Sequence, residues 1–320
     1  MKKISYSKNI KIFCDRNNID YNSLKPLKND ASKRRYYRFT NNNKELLLMD
    51  SSLEKESLKN FIKISKWLKS NHLSSPEIYI KDEKLGLLII EDFGNNKYSI
   101  LCKKEKEKKK FYYRKAIKLL TFLSEKNKPS FIKDYDHRIL KSELDLYVNW
   151  ELNIKKNKKA LKDWNMIWSN LLKNVSYKKT CVVLRDFHVD NIFYLKDRNK
   201  LEKIGLIDFQ DSLIGHPAYD LVSLLQDVRV FLSIEEQDSF YNYYRKHTKI
   251  NQDDFYYAYL VLGTQRLFKI IGIFKKLAIN QGKNNYLRYI PRTKKLIKYN
   301  LRSPIFYELK LWLKIHGNNE

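Results

Sequence analysis

Apolar positions along this chain change their period near residue 94. Before that point they fall in short runs at 24–27, 36–40, 45–49, 78–80 and 85–90, each of strand length and separated by polar turns. Two stretches among them have helical spacing instead. One is 4–19, with Ile4, Ile10, Ile12 and Phe13; the other is 53–73, with Leu58, Phe61, Ile62, Ile64, Trp67 and Leu68 on one side. Beyond residue 94 a Lys/Glu run at 102–110 reads as a solvated helix face or loop. From Phe111 the spacing is helical through Ala116, Ile117, Leu119, Leu120 and Leu123, then again over 140–150, 161–175 and 255–301. The pattern predicts an α+β chain with two portions: a small antiparallel sheet at 1–94 and a mainly helical part at 95–320. No repeat and no Pro/Ser linker divides the helical part.

One stretch, 182–227, breaks the helical pattern. Apolar runs at 181–184 and 204–207 each lead into an acid, Asp186 after the first and Asp208 after the second, with Asn191 five positions beyond Asp186. Two adjacent strand ends would present these groups together. Asp and Asn are hard oxygen donors suited to Mg²⁺, which binds through one or two carboxylates plus substrate phosphates. An acid that holds no metal is free to take a proton from an attacking hydroxyl. Phosphoryl transfer needs a metal on the phosphates, a positioned nucleophile and compensation for developing charge. On this reading Asp186 is the catalytic base and Asn191 and Asp208 hold the metal. The competing reading is three turn-forming residues after strands; their joint order and spacing favour the chemistry.

Composition narrows the choice of partner. The chain has 320 residues, 43% of them hydrophobic, enough for a real core. A net charge of +28 invites a nucleic-acid reading. Lysine far outnumbers arginine and is spread with Asn, Ile, Tyr and Phe throughout, and no zinc-finger or RNP-type signature is present. A specific nucleic-acid role is therefore set aside, while the basic field favours anionic ligands such as ATP or a carboxylate-bearing sugar. Cys14, Cys102 and Cys181 are scattered and odd in number, with no CxxC, which fits a reducing compartment and no structural metal. No run has signal-peptide length, and none reaches the roughly eighteen apolar residues of a membrane span. A cytoplasmic protein off the membrane is expected.

The segment RDFHVDN resembles the catalytic loop of protein kinases and of aminoglycoside and choline phosphotransferases, and IDFQD resembles the metal-binding segment that follows it. Together RDFHVDN, GLIDFQDSLIGHPAYDLVSLLQD and GTQRLFKIIGIF are similar to the bacterial anomeric N-acetylmuramate/N-acetylglucosamine kinases, a branch of the aminoglycoside phosphotransferase group. The likeness runs from about residue 29 to 301. It implies a two-lobed protein-kinase-like fold with ATP and Mg²⁺ between the lobes. It further implies an N-acetylated amino sugar whose anomeric hydroxyl attacks the γ-phosphate, giving a sugar 1-phosphate for cell-wall recycling. Rival readings are a kinase of another small-molecule hydroxyl (aminoglycoside, choline-like alcohol or other sugar), a catalytically silent kinase-like binding protein, and a basic nucleic-acid-binding protein.

The resemblance also assigns roles, and the chain departs from it in two places. The turn at 28–35 contains no glycine, and Asn29 stands where the sugar kinases carry Gly; Asn is the next-best residue for a left-handed backbone. This turn would aim N–H groups at phosphate with help from the Ser32 hydroxyl, or it is simply an exposed basic hairpin. The strand at 45–49 ends in Met49 and Asp50, a pair shared with the anomeric kinases, where other kinases carry the phosphate-gripping lysine. That role passes to Arg34 or Arg35, whose guanidinium groups suit phosphate oxygens. Glu56 matches the acid that orients the phosphate machinery, or is only a charge favoured in a first helical turn. Glu91 and Phe93, in Glu91-Asp92-Phe93-Gly94, mark the adenine-binding hinge, or merely a strand end. Glu143 and Trp150 echo a phrase of the sugar kinases and would wall the acceptor site, although a tryptophan also suits a core. Arg185 and His188 flank the base, with His188 bracing the loop. Asp220 is read as an N-cap that also braces it. Gln265 and Arg266 reach the acceptor or face solvent, and Arg292 is as open.

Overall fold

A computed structural model of the chain describes residues 7–27, 33–154, 156–248 and 251–317. Asn29 and Ser32, assigned above to the phosphate turn, lie outside the described residues. In chain order the elements are α1 (Lys8–Arg16), β1 (Lys25–Pro26), β2 (Arg35–Asn41), β3 (Lys44–Asp50), α2 (Lys55–Ser70), β4 (Ile78–Asp82) and β5 (Leu87–Glu91). They continue with α3 (Tyr98–Lys104), α4 (Lys109–Leu123), α5 (His137–Trp150), α6 (Lys158–Lys173), β6 (Cys181–Val183), β7 (Ile192–Tyr194), β8 (Ile204–Leu206) and β9 (Leu213–Gly215). The rest is helical: α7 (Ala218–Leu225), α8 (Ile234–Lys246), α9 (Gln252–Gln281), α10 (Ile290–Asn300) and α11 (Tyr307–His316).

These elements form two compact units. The first comprises residues 1–98 with 191–211, the second 99–190 with 212–320. The first unit thus runs past residue 94 and takes in a distant segment of sequence. The hairpin β7–β8 joins it through backbone: Ser74 bridges Gly205, and Tyr194 N donates to Asn96 O at 2.9 Å.

In the first unit the sheet order is β1-β2-β3-β5-β4, antiparallel throughout. Register pairs Tyr37 with Leu48, Phe39 with Leu46, and Leu48 with Ile89. With a side-chain period of two, that puts all five on one face. There they bury against Ile10, Phe13 and Cys14 of α1. Helix α2 buries Leu58, Phe61, Ile62, Ile64 and Leu68, the stripe legible in its sequence.

The second unit is built around α9, 30 residues long, started by an Asn251 cap and stopped by Gly282 in the left-handed conformation. An aromatic cluster of Tyr147, Trp164, Trp168, Phe268 and Trp312 fills the space between α5, α6, α9 and α11. Two glycines let α9 approach its neighbours. A Cβ on Gly272 would lie 2.3 Å from the backbone carbon of Leu146 in α5, and one on Gly263 would lie 2.6 Å from the Val222 side chain in α7. The phrase GTQRLFKIIGIF is thus partly a packing signal. Of the two acid-bearing strands, β6 pairs with β9 and β8 with β7.

Candidate active site

In the first unit, Ile192 opposes Leu206 and Ile207 N donates to Asn191 O at 3.1 Å. Asn191 and Asp208 therefore stand at the same end of one hairpin. Asp208 takes a left-handed backbone, φ 59°, which Asp tolerates better than most residues. Phe209 behind it is buried and stacked on Phe61 of α2 at 4.9 Å. That anchor holds the preceding carboxylate outward, 40% exposed.

Arg34 meets this carboxylate from the residue before β2. Its Nη2 lies 2.8 Å from Asp208 Oδ1, its Nη1 donates to Gln210 Oε1 at 2.7 Å, and its Nε lies 3.6 Å from Glu54 Oε2. Gln210 Nε2 in turn donates to Asp208 Oδ1 and Asp211 Oδ2, at 3.0 and 2.9 Å. Burial opposes the Arg34 charge, but Tyr36 and Asp208 outweigh it and hold the guanidinium protonated. Arg34 is 6% exposed, whereas Arg35 opens β2 at an exposed position. Of the two arginines left open by the sequence, Arg34 is the inward one.

The acid beside Arg34 is Glu54, at the N-cap of α2, and not Glu56. Glu56 is 81% exposed and faces Lys59 at 3.8 Å. The reason is helical phase. Glu54 lies four residues before buried Leu58, on the same side, while Glu56 falls on the solvated side. An N-cap acid whose side chain makes no cap bond is the signal that separates them.

The side chains of Glu91, Asp92 and Phe93, at the end of β5 and just after it, are spent inside this unit. Glu91 pairs with Arg198 and accepts from Glu77 N at 3.1 Å. Asp92 holds Arg38 and caps Gly94 N at 2.7 Å. The Phe93 ring packs 5.7 Å from Phe193 and fills the space that a Cβ on Gly205 would enter. What the segment can offer a ligand is therefore backbone.

The donor chemistry at the hairpin end suits Mg²⁺: one outward carboxylate and one amide, both oxygen ligands. Among the described residues no group of three or more His, Cys, Asp and Glu gathers as a metal site. An ion that takes most of its ligands from phosphate and water needs none.

In the second unit β6 leads into the loop 184–190, pinned at both ends by buried acids. Asp220 Oδ2 accepts from Leu184 N at 2.6 Å and Oδ1 from Arg185 N at 2.9 Å; Asp227 Oδ2 accepts from Val189 N at 3.2 Å. Between them Asp186 N donates to Leu184 O and His188 N to Asp186 O. Phe187, His188 and Val189 are buried, which leaves Asp186 half-exposed on a fixed turn. Asp220 is not the N-cap expected of it. Pro217 holds that position, the helix begins at Ala218, and the Asp220 carboxylate, in the first turn, points to the loop. Burial drives its carboxyl up to about 7 against the pull of the two N–H donors.

Arg185 has φ 67°, a strained conformation for a non-glycine residue. Its guanidinium is anchored on Glu143 of α5. Glu143 also accepts from Tyr135 Oη at 2.6 Å, Lys269 Nζ at 2.8 Å and Gln265 Nε2 at 3.0 Å. Burial pushes its carboxyl up, but Lys269 and Arg185 overcome that and bring it down to about 2. Glu143 is 8% exposed and its lone pairs are committed. Gln265 does not face solvent: it is fully buried, and its Nε2 also donates to Leu140 O at 2.9 Å. Arg266 beside it is buried too, Arg292 Nη2 donates to Val230 O, and Trp150 is half-buried at the end of α5, seven residues past Glu143.

Sequence reasoning missed Glu54, Gln210, Asp227 and Lys269. For Lys269 the signal was a cation inside an apolar helical run, three residues after Arg266.

The phosphotransferase enzyme (APH) family model matches residues 23–258, a span that includes RDFHVDN and IDFQD. The N-acetylmuramate/N-acetylglucosamine kinase of Caulobacter vibrioides is 29% identical over 265 residues, covering 79% of this chain and 73% of that protein. The protein of the same name from Neisseria meningitidis serogroup B is 29% identical over 279 residues, covering 82% and 81%. Among solved structures, the streptomycin–ATP–APH(2'')-IIa ternary complex matches with a TM-score of 0.60 at 16% identity, over 89% of this chain and 97% of that one. The chain belongs to the phosphotransferase enzyme family.

Proposed function

We propose that the protein is an ATP-dependent kinase that phosphorylates the anomeric hydroxyl of N-acetylmuramate or N-acetylglucosamine, in the reducing cytoplasm, for reuse of cell-wall sugars. The observation that carries the reaction class is the loop 184–190, which Asp220 and Asp227 pin at both ends so that Asp186 is presented half-exposed at a fixed place. The acceptor follows from the two relatives, whose shared name covers proteins aligned with about four-fifths of this chain. The compartment accords with three buried, unpaired cysteines. No helix among the described residues is long and apolar enough to cross a membrane.

On this reading the sugar hydroxyl oxygen forms a bond to the γ-phosphorus as the bond to the ADP oxygen breaks, and Asp186 takes the hydroxyl proton. Asn191 and Asp208 would hold Mg²⁺, which when bound neutralises charge on the phosphates. The backbone of 91–94 would meet the adenine. The test is ADP release across an acceptor panel of both amino sugars, an aminoglycoside and choline, with ³¹P NMR of the product. A phosphate on the anomeric carbon of an amino sugar is expected. Turnover of choline or the aminoglycoside alone would refute the acceptor.

A further inference from the structure

We infer that Arg34, oriented by Glu54 and Gln210, is the cation that grips the nucleotide phosphates in place of the lysine that β3 lacks. This rests on the kinase reading above. Strand β3 has no side chain for that role, since Met49 is buried in the sheet and Asp50 accepts from Ser52 N at 3.0 Å. Register places the substitute one strand over. Arg35 pairs with Asp50, so Arg34 is the next residue beyond the paired end of β2, beside the end of β3.

Other arginines of this unit are committed away from Asp208: Arg38 to Asp92 and Arg198 to Glu91. Arg34 reaches the metal-binding acid itself. A cation that contacts phosphate beside the metal must stand next to the metal's carboxylate, and Arg34 is 2.8 Å from it. Its guanidinium is aimed by side chains of two kinds. Gln210 fixes Nη1 through a neutral hydrogen bond, and Glu54 faces Nε at 3.6 Å, ion-pair range without a tight hydrogen bond. The two acids are themselves 40% and 28% exposed. The cation is thus held by a buried Gln210 and by two acids that open to solvent, an arrangement that lets the side of the planar donor fork facing the acids share with phosphate oxygens. This assignment also gives Glu54, not Glu56, the orienting role.

Equilibrium binding of ADP, measured by calorimetry in EDTA with no acceptor present, separates the Arg34 contribution from any effect through the metal. Arg34→Ala should weaken ADP binding about 10–100-fold, the loss of a charge-assisted phosphate contact. Arg34→Lys should recover part of it, and Glu54→Gln should weaken it several-fold more than Glu56→Gln. Circular dichroism melting identifies a variant that fails to fold; Glu54→Gln and Arg34→Lys, which keep the cluster polar, then carry the test. Unchanged ADP affinity in Arg34→Ala, or a loss confined to Arg35→Ala, overturns the inference while leaving the kinase reading intact. Absence of ADP binding by the parent protein both in EDTA and with Mg²⁺ added would instead remove the kinase reading.

Discussion

Arg34 in the first unit and Arg185 in the second are both withdrawn from water and both end on carboxylates, yet they sit in different kinds of polar cluster. Arg185 meets Glu143, whose oxygens are also claimed by Tyr135, Gln265 and Lys269. Arg34 meets Asp208 and Glu54, which remain partly in solvent. A buried acid with every lone pair engaged is a fixed structural point, because removing the acid strands its buried cations and removing a cation leaves it under-compensated. An acid that water can still reach exchanges partners at low cost. One cluster holds a loop still; the other keeps a cation available.

The deepest cut falls on the loop that the first cluster serves. Asp186→Asn should lower kcat about 10²–10⁴-fold while ADP affinity is retained; turnover equal to the parent would show that the fixed turn presents some other base. Next comes stability. Glu143→Ala strands Arg185 and Lys269 without their acid and should cost about 3–5 kcal/mol in urea denaturation. Arg34→Ala should cost less, about 1–3 kcal/mol, since Asp208 and Glu54 fall back on water while the buried Gln210 Oε1 is left without its donor. Equal losses in the two variants would erase the contrast between the clusters. Gly272→Ala drives a Cβ into the Leu146 backbone and separates α9 from α5, so about 1–3 kcal/mol should be lost. Catalytic rate should fall with it, through Gln265 and Lys269.

The last expected effect is a pH dependence. Burial raises Asp220 from 3.8 to about 7, so between those values the folded chain holds a proton that the unfolded chain has released. Raising the pH through that window therefore costs the parent stability. Asp220→Asn removes the slope but also one acceptor for the loop N–H groups. It should be less stable throughout, with a gap to the parent that narrows as pH rises from about 4 to about 7. A constant gap in urea titrations would place the carboxyl back in the ordinary range.

How much of this was readable beforehand depended on periodicity. The strands at 36–40 and 45–49 and the helix at 53–73 alternate or repeat cleanly, and the structure places them within a few residues. Strands β7 and β9 have three residues each, too short for a period to register; the equally short β6 and β8 were legible only as apolar runs leading into an acid. Glu54 and Glu56 differ by two residues, about 200° around a helix, so a motif match two positions off reverses the facing. Helix α9 is apolar nearly all round. No stripe then tells inside from outside, which is why Gln265 and Lys269 were not recognised as interior. Asp220 binds the loop N–H groups, and only its reading as an N-cap fails: an acid before an apolar run signals a cap only when its own helix is the partner it serves.

The buried cysteines carry a practical consequence. Cys14 lies in the sheet–α1 core with its thiol raised to about 11, and Cys181 opens β6 with its thiol pushed higher still, both chiefly by desolvation. Neither can react with an alkylating reagent until its surroundings come apart. Each unit thus contains its own chemical clock, and mass spectrometry of timed labelling would read the opening of the sheet core and of the strand before Asp186 as two separate rates.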